Sequence, residues 1–250
     1  MNIQSIEAAR SILALNLTVP GPDEPVRKFV DLSRRIGGNR KSSRVFDDFC
    51  YLTYCVFAQR TTSDPKIHDD LQRQYDEVAA AYDPADLWAM AGMLGVAREA
   101  MSRGGDDFLG RVCGVMGALD RPTGQYFTPF DASRLFASLN PPDAAEAIQQ
   151  CGHFTAMDPA AGSGGLLIAM ADQIQSQGVN MNDVFFEGVE LVPSTYHMLF
   201  VQLVLRGLAA RAVCGNSLTQ EVREFAYTPA ALKFIRKHGP TAASTSMRLK

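Results

Sequence analysis

A strand that ends in an acid, a glycine-rich turn, a helix, and then two more strands of the same kind constrain this chain more than anything else in it. His153–Asp158 reads as a buried strand, and Gly164–Gln175 as a helix. Val184–Glu190 is a second strand, again closing on an acid. Pro193 stands early in a helix running to about Leu205, and Ala212–Cys214 is a third strand that ends at Gly215-Asn216. Strands alternating with helical crossovers form a parallel sheet, because parallel neighbours cannot be joined by a hairpin.

The connection Asp158-Pro159-Ala160-Ala161-Gly162-Ser163-Gly164-Gly165 is the sharpest feature. A strand-to-helix turn this tight uses glycines to bend and to let a ligand approach the backbone without Cβ interference. The helix that follows points its first amides at that ligand. No Gly-Lys-Ser/Thr follows, so this is not a Walker A loop, and the spacing is wrong for GxGxxG. Taken alone, the segment is equally readable as a plain tight connection. Glu190 adds to it, since an acid at the end of the next strand can bind the hydroxyls of a ribose. At the third strand's end, the Asn216 amide can read an adenine ring. Together the three strand ends point to a nucleoside-containing cofactor.

The remainder is helical and simple. Residues 42–120 show apolar spacings of three or four. Ser42 or Ser43 caps a segment to Arg60, Ser63-Asp64-Pro65 opens a helix to about Tyr82, and Asp83 or Asp86 caps the next. A fourth runs from Asp107 to Leu119. Residues 1–41 read as a weakly structured basic arm, with one short helix near Ile6–Leu15. Seven Lys/Arg and one acid lie between Val26 and Arg44, a pattern that fits either phosphate contact or a solvated face. After a short helix at Asp131–Leu139, Asn140-Pro141-Pro142-Asp143 reads as a helix stop and a cap. Residues 219–250 read as a C-terminal helix and flexible tail.

With 250 residues, 46% of them hydrophobic, and a net charge of −3, the chain is neither a disordered segment nor a uniformly basic nucleic-acid coat. No run approaches the roughly 18–20 apolar residues of a membrane span. The N-terminus has no basic n-region and no clear cleavage site. The five cysteines are scattered without a CxxC, and no HExxH accompanies the four histidines. They read as core cysteines of a reduced, cytosolic chain without a metal site. His197 reads as structural.

Gly124-Gln125-Tyr126-Phe127-Thr128-Pro129 lies just ahead of the first strand. GQYFTP, then DPAAGSGG, then GVELVPSTYHMLFVQLVLRG and GNSL occur in this order. In that order the four segments resemble the modification subunits of type I restriction systems, and short phage and plasmid N6-adenine DNA methyltransferases. The likeness covers roughly residues 106–218. It implies a helical N-terminal domain (42–120) followed by a partial Rossmann-like methyltransferase sheet (121–218), an α/β fold, with S-adenosylmethionine as cofactor and DNA as partner. By the same resemblance Tyr126, Phe127, Thr128 and Pro129 line the methionine end. Asp158, Ala160, Gly162 and Gly164 form the floor, Glu190 and Leu191 lie at the ribose, and Asn216 lies near the adenine.

Two things the resemblance leads one to expect are missing. The family accepts the hydrogens of the target amine on an Asn/Asp-Pro-Pro-Tyr/Phe tetrapeptide after the fourth strand. No such sequence follows Asn216. The NPPD at 140–143 precedes the glycine turn and lacks the aromatic. The family's first strand is also interior, whereas here it is left at an edge, to be covered by the tail 219–240, a second copy or a partner subunit. Three functions therefore stand open: methyl transfer to adenine N6 in DNA, a catalytically silent cofactor-binding relative acting on a restriction–modification complex, or a structural remnant that binds neither.

Overall fold

A computed structural model describes residues 23–38, 40–102, 104–118 and 127–240. Five helices come first: α1 (Glu24–Ser33), α2 (Ser42–Gln59), α3 (Pro65–Ala79), α4 (Pro84–Ser102) and α5 (Phe108–Met116). Next come α6 (Phe130–Leu139), α7 (Ala144–Cys151), β1 (Phe154–Asp158), α8 (Gly165–Ser176), a 3₁₀ turn at Met181–Asp183 and β2 (Val184–Glu190). The chain then runs through α9 (Pro193–Leu205), β3 (Ala210–Asn216), β4 (Glu221–Tyr227) and α10 (Pro229–His238). No helix among the described residues is long and apolar enough to cross a membrane.

The sheet order is β1-β2-β3-β4. The first three strands are parallel, with Asp158 beside Gly188 and Glu190 beside Cys214. Both acids therefore stand at the same, carboxyl edge of the sheet. Along β2, Val184 and Phe186 face the main core, while Phe185 and Val189 face the other side. This is the two-residue alternation of a strand covered on both faces.

The helical layer exists because α9 needs it. Tyr196, Met198, Leu199, Phe200, Val201 and Leu203 are all buried, so α9 is apolar around its whole circumference and cannot rest on the sheet alone. One side packs on β2 and β3, and α2 packs on the other. The resulting core runs without a break from Val26 to Ala226. The sequence division at 120/121 falls within 119–126, outside the described residues.

The structure departs from the sequence expectations at several places. Residues 24–33, expected in a weakly structured arm, form α1. Asp23 accepts from the Val26 amide, Pro25 occupies the first turn, and Val26, Phe29 and Val30 are buried. Apolar spacing thus overrides the high local charge. The helix near Ile6–Leu15 lies outside the described residues. Residue Lys41, not Ser42 or Ser43, is the N-cap of α2, without a side-chain bond. Cys151 is exposed, unlike the other four cysteines.

The tail is the largest departure. Residues 221–227 form a strand antiparallel to β3, with an irregularity at Cys214/Gly215. Val222 and Ala226 are buried, while Glu221, Arg223 and Glu224 are exposed. After Tyr227, the buried Thr228 hydroxyl donates to the Leu208 carbonyl (2.7 Å) and accepts from the Ala210 amide (3.0 Å). That turns the chain into α10, whose Ala231 and Phe234 pack with Phe185 and Ala209. The tail therefore covers the far edge and one face. It does not reach the outer edge of β1, which pairs only with β2 among the described residues.

His197 sits where α2 and α9 meet, its ring 4.7 Å from that of Tyr51 and 4.8 Å from that of Tyr54. Burial pushes its pKa down to about 4 from 6.5. Between those values the unfolded chain binds a proton that the folded chain refuses. This stabilisation is complete above pH 6.5 and is lost as pH falls toward 4. We expect urea unfolding of wild type against His197→Phe to show a difference growing to at most about 3 kcal/mol over that window. The subtraction removes Asp47, whose pKa, raised to about 6 by burial, acts with the opposite sign. A flat difference curve would contradict the burial of a neutral ring.

Candidate functional site

The site is built around the turn that joins β1 to α8. Asp158 closes the strand and accepts from the Ala160 amide (3.0 Å). Burial raises its carboxyl pKa, and that bond lowers it. The Ala161 amide donates to the Val189 carbonyl (2.9 Å), and Gly164 closes the bend by donating to the Ala161 carbonyl (2.7 Å). Gly162 and Gly164 have φ of +55° and +94°, the left-handed region that favours glycine. At Gly164 a Cβ would lie 2.8 Å from Leu199, and at Gly162 it would lie 3.2 Å from the Phe127 ring. Phe127 therefore rests directly on the bare backbone of the turn.

Glu190 locks the turn to the next strand. One carboxylate oxygen accepts from the Gly162 amide (3.1 Å), the other from the Val192 amide (2.9 Å). Each oxygen keeps a second lone pair, so the group holds the turn and can still accept from a ligand hydroxyl. Asn216, half-buried at the end of β3, accepts on its side-chain oxygen from Leu218 (3.0 Å) and Thr219 (3.2 Å).

Between α6 and the turn opens a cavity of about 460 Å³, whose walls include Phe127, Thr128, Ser133, Asp158, Ala160 and Gly162. That volume lies in the range of small-molecule sites, roughly 300–1,000 Å³. Among the residues expected from the sequence, Phe127, Thr128, Asp158, Ala160 and Gly162 meet on this cavity. Gly164 is the N-cap of α8, and Pro129 is the exposed N-cap of α6. Glu190 reaches the cavity wall through Gly162, while Leu191 is exposed beside it. Tyr126 lies outside the described residues.

Sequence reading missed α6 as a wall. Ser133 is 2% exposed, and its hydroxyl has no hydrogen-bond partner among the described residues. Only its helical position, four residues past Pro129, places it there. Asp107, Gln202 and Ser163 were missed as well. The Ser163 hydroxyl donates to one Asp107 oxygen (2.7 Å), and the Gln202 amide donates to the other (2.6 Å) and to the Ser163 carbonyl (2.6 Å). The side-chain oxygen of Gln202 accepts from the Leu109 amide (3.0 Å). Three residues far apart in sequence thus pin the turn to the start of α5.

The NPPD segment stands away from this chemistry. The Asn140 side chain donates to the Phe136 carbonyl, and the Asp143 carboxylate accepts from the Glu146 amide as the cap of α7. No group of three or more metal-ligating side chains occurs among the described residues.

Replacing Gly162 by Ala tests how tightly the turn is held. A left-handed non-glycine residue and the displaced Phe127 ring together are expected to cost about 1–3 kcal/mol in urea unfolding. A loss below about 0.5 kcal/mol would show that the turn is free to relax.

Comparison with known proteins follows from this geometry. Residues 117–236 match the family model described as N-6 DNA Methylase. No curated protein matches the chain. Among solved structures, one similar chain comes from Listeria monocytogenes and is assigned to the class I S-adenosylmethionine-dependent methyltransferases. It shows 14% identity and a TM-score of 0.41 over 91% of this chain and 73% of its own. Another is the methyltransferase subunit of a type I restriction-modification system from Streptococcus thermophilus, with 15% identity and a TM-score of 0.36. The likeness to it covers 74% of this chain, which spans only 55% of that subunit's length.

Proposed function

From the match of residues 117–236 to the N-6 DNA methylase family, we propose that this chain binds S-adenosylmethionine in the cavity beside the glycine turn and serves methyl transfer to adenine N6 in DNA. The observation that carries the reading is the meeting of Asp158, the bare turn and Glu190 at the carboxyl ends of adjacent parallel strands, beside one cavity. Open α/β sheets bind their ligands at such a crevice.

The residues present suit the cofactor's parts. Asp158 is an acceptor for the ammonium of the amino-acid end, and the first amides of α8 are donors for its carboxylate. Glu190 keeps lone pairs for ribose hydroxyls, and the Asn216 NH₂ is a donor suited to a ring nitrogen. Phe127 closes one wall and excludes water. When bound, the cofactor supplies an activated methyl group on a sulfonium.

For the acceptor, adenine N6 needs hydrogen-bond acceptors to draw its protons, and the side chains of Asn140 and Asp143 are engaged at helix ends. Among the described residues no strand pairs with the outer edge of β1, and Arg27 and Lys28 of α1 are exposed for phosphate. We read the acceptor groups as coming from a strand or subunit that pairs with β1. The placement of NPPD also favours a second reading, a silent cofactor-binding relative that acts on a restriction–modification complex.

Two measurements separate these. Calorimetry should show S-adenosylmethionine binding that weakens at least roughly tenfold in Asp158→Asn and in Glu190→Gln, since each removes a charged acceptor. Failure of the wild-type chain to bind would overturn both readings. Labelled methyl transfer to unmethylated DNA, with and without candidate subunits, then decides between them. Transfer in any combination eliminates the silent reading, and its absence in all of them eliminates the catalytic one.

A further inference from the structure

Asp107 is a buried carboxylate that the proposed function does not use. It is 3% exposed, and its partners among the described residues are all groups that can donate. The Gly110 amide (3.1 Å) and the Gln202 amide (2.6 Å) reach one oxygen, and the Ser163 hydroxyl (2.7 Å) the other. The orientation of Gln202 is determined by its surroundings. Because the Leu109 amide can only donate, the Gln202 oxygen faces it, and the NH₂ must face Asp107 and the Ser163 carbonyl. Burial raises its pKa, while the bonds donated by Ser163, Gln202 and Gly110 favour the anion and lower it. Among the described residues no cation pairs with it; its neighbour Asp106 takes Arg111 instead.

Its position relative to the cavity matters more than its burial. Ser163 and Gly165 both line the cavity, and a Cβ at Gly165 would lie 3.2 Å from the Asp107 oxygen. The carboxylate therefore stands directly behind the cavity wall, at the first turn of α8. That helix end carries a partial positive charge of roughly half a unit, which opposes a cation in the cavity. A fixed anion behind it reverses the sign of the local field.

We propose that Asp107 makes the site selective for a positively charged cofactor, favouring the sulfonium of S-adenosylmethionine over the uncharged thioether of its demethylated product. This rests on the reading that the cavity holds S-adenosylmethionine. It gives the site a means of releasing product, because methyl transfer removes the charge that Asp107 attracts. At an effective dielectric of about 20, a charge pair across a cavity wall is worth on the order of tenfold in affinity, less where water screens it.

The test is calorimetry of wild type, Asp107→Asn and Asp107→Ser with three ligands: S-adenosylmethionine, S-adenosylhomocysteine, and sinefungin, whose amine carries charge in place of the sulfonium. Asn and Ser both remain competent helix caps. We expect each variant to weaken the two cationic ligands about tenfold while changing S-adenosylhomocysteine less than about threefold. Parallel losses for all three ligands, or none, would overturn the proposal in favour of a purely structural carboxylate. Should neither variant fold, the wild-type ranking decides. Cationic ligands ahead of S-adenosylhomocysteine uphold the proposal, and equal or reversed affinities sink it. Wild type binding none of the three would instead remove the cofactor reading on which it rests.

Discussion

The hydrogen-bonded knot of Asp107, Ser163 and Gln202 is what the rest of this structure depends on. Burying a carboxylate without a cation is costly, and the cost is offset here only because three donors converge on it. Those donors come from the start of α5, from the turn after β1 and from the middle of α9. The knot can form only when helical layer, turn and crossover helix are all in place. It therefore acts as a single fastening for three elements and holds the turn against the cavity before any ligand arrives.

The apolar girth of α9 explains why the fastening lies where it does. A helix buried on every side has to be sandwiched, and Gln202 is its one polar side chain at 0% exposure. A polar group at that depth has to find its partners within the protein. It finds them in the turn and in α5, so the same packing that builds the core also aims polar groups at the candidate site. Nearby, the hydroxyls of Tyr54 and Tyr196 lie 3.1 Å apart, and Tyr54 donates to Glu224 on β4. The strand that extends the sheet is thus tied to the helical layer as well.

The parts of this arrangement that depend on neighbouring residues were legible in the sequence. The three parallel strands, the helix from Pro193 to Leu205 and the glycine turn all follow from apolar runs, terminal acids and glycine spacing. The parts that depend on distant contacts were not. β4 is marked only by weak alternation in Glu221–Tyr227, and its charged residues resemble a solvated tail. The core face of α1 is hidden among arginines and lysines. Asp107 looks like any N-cap, and Gln202 like a polar residue out of place in an apolar helix. Nothing local indicates that they meet, although a lone glutamine at a core position is a signal that a buried partner exists. Of the two covers expected for the edge of β1, the tail 219–240 or another subunit, the tail goes elsewhere because a strand pairs most readily with its sequence neighbour. Residues 221–227 take the edge of β3.

The knot of Asp107, Ser163 and Gln202 holds the glycine turn and the start of α5 as one unit. Native-state amide hydrogen exchange on the ligand-free chain, wild type against Gln202→Leu, tests it most directly. Slow exchange is expected in the wild type at Leu109 and Gly110 and at Ala161 and Gly164. The substitution is expected to speed both pairs together by a similar factor, since they open as one unit. Loss of protection at Leu109 and Gly110 alone, with Ala161 and Gly164 unchanged, would contradict it.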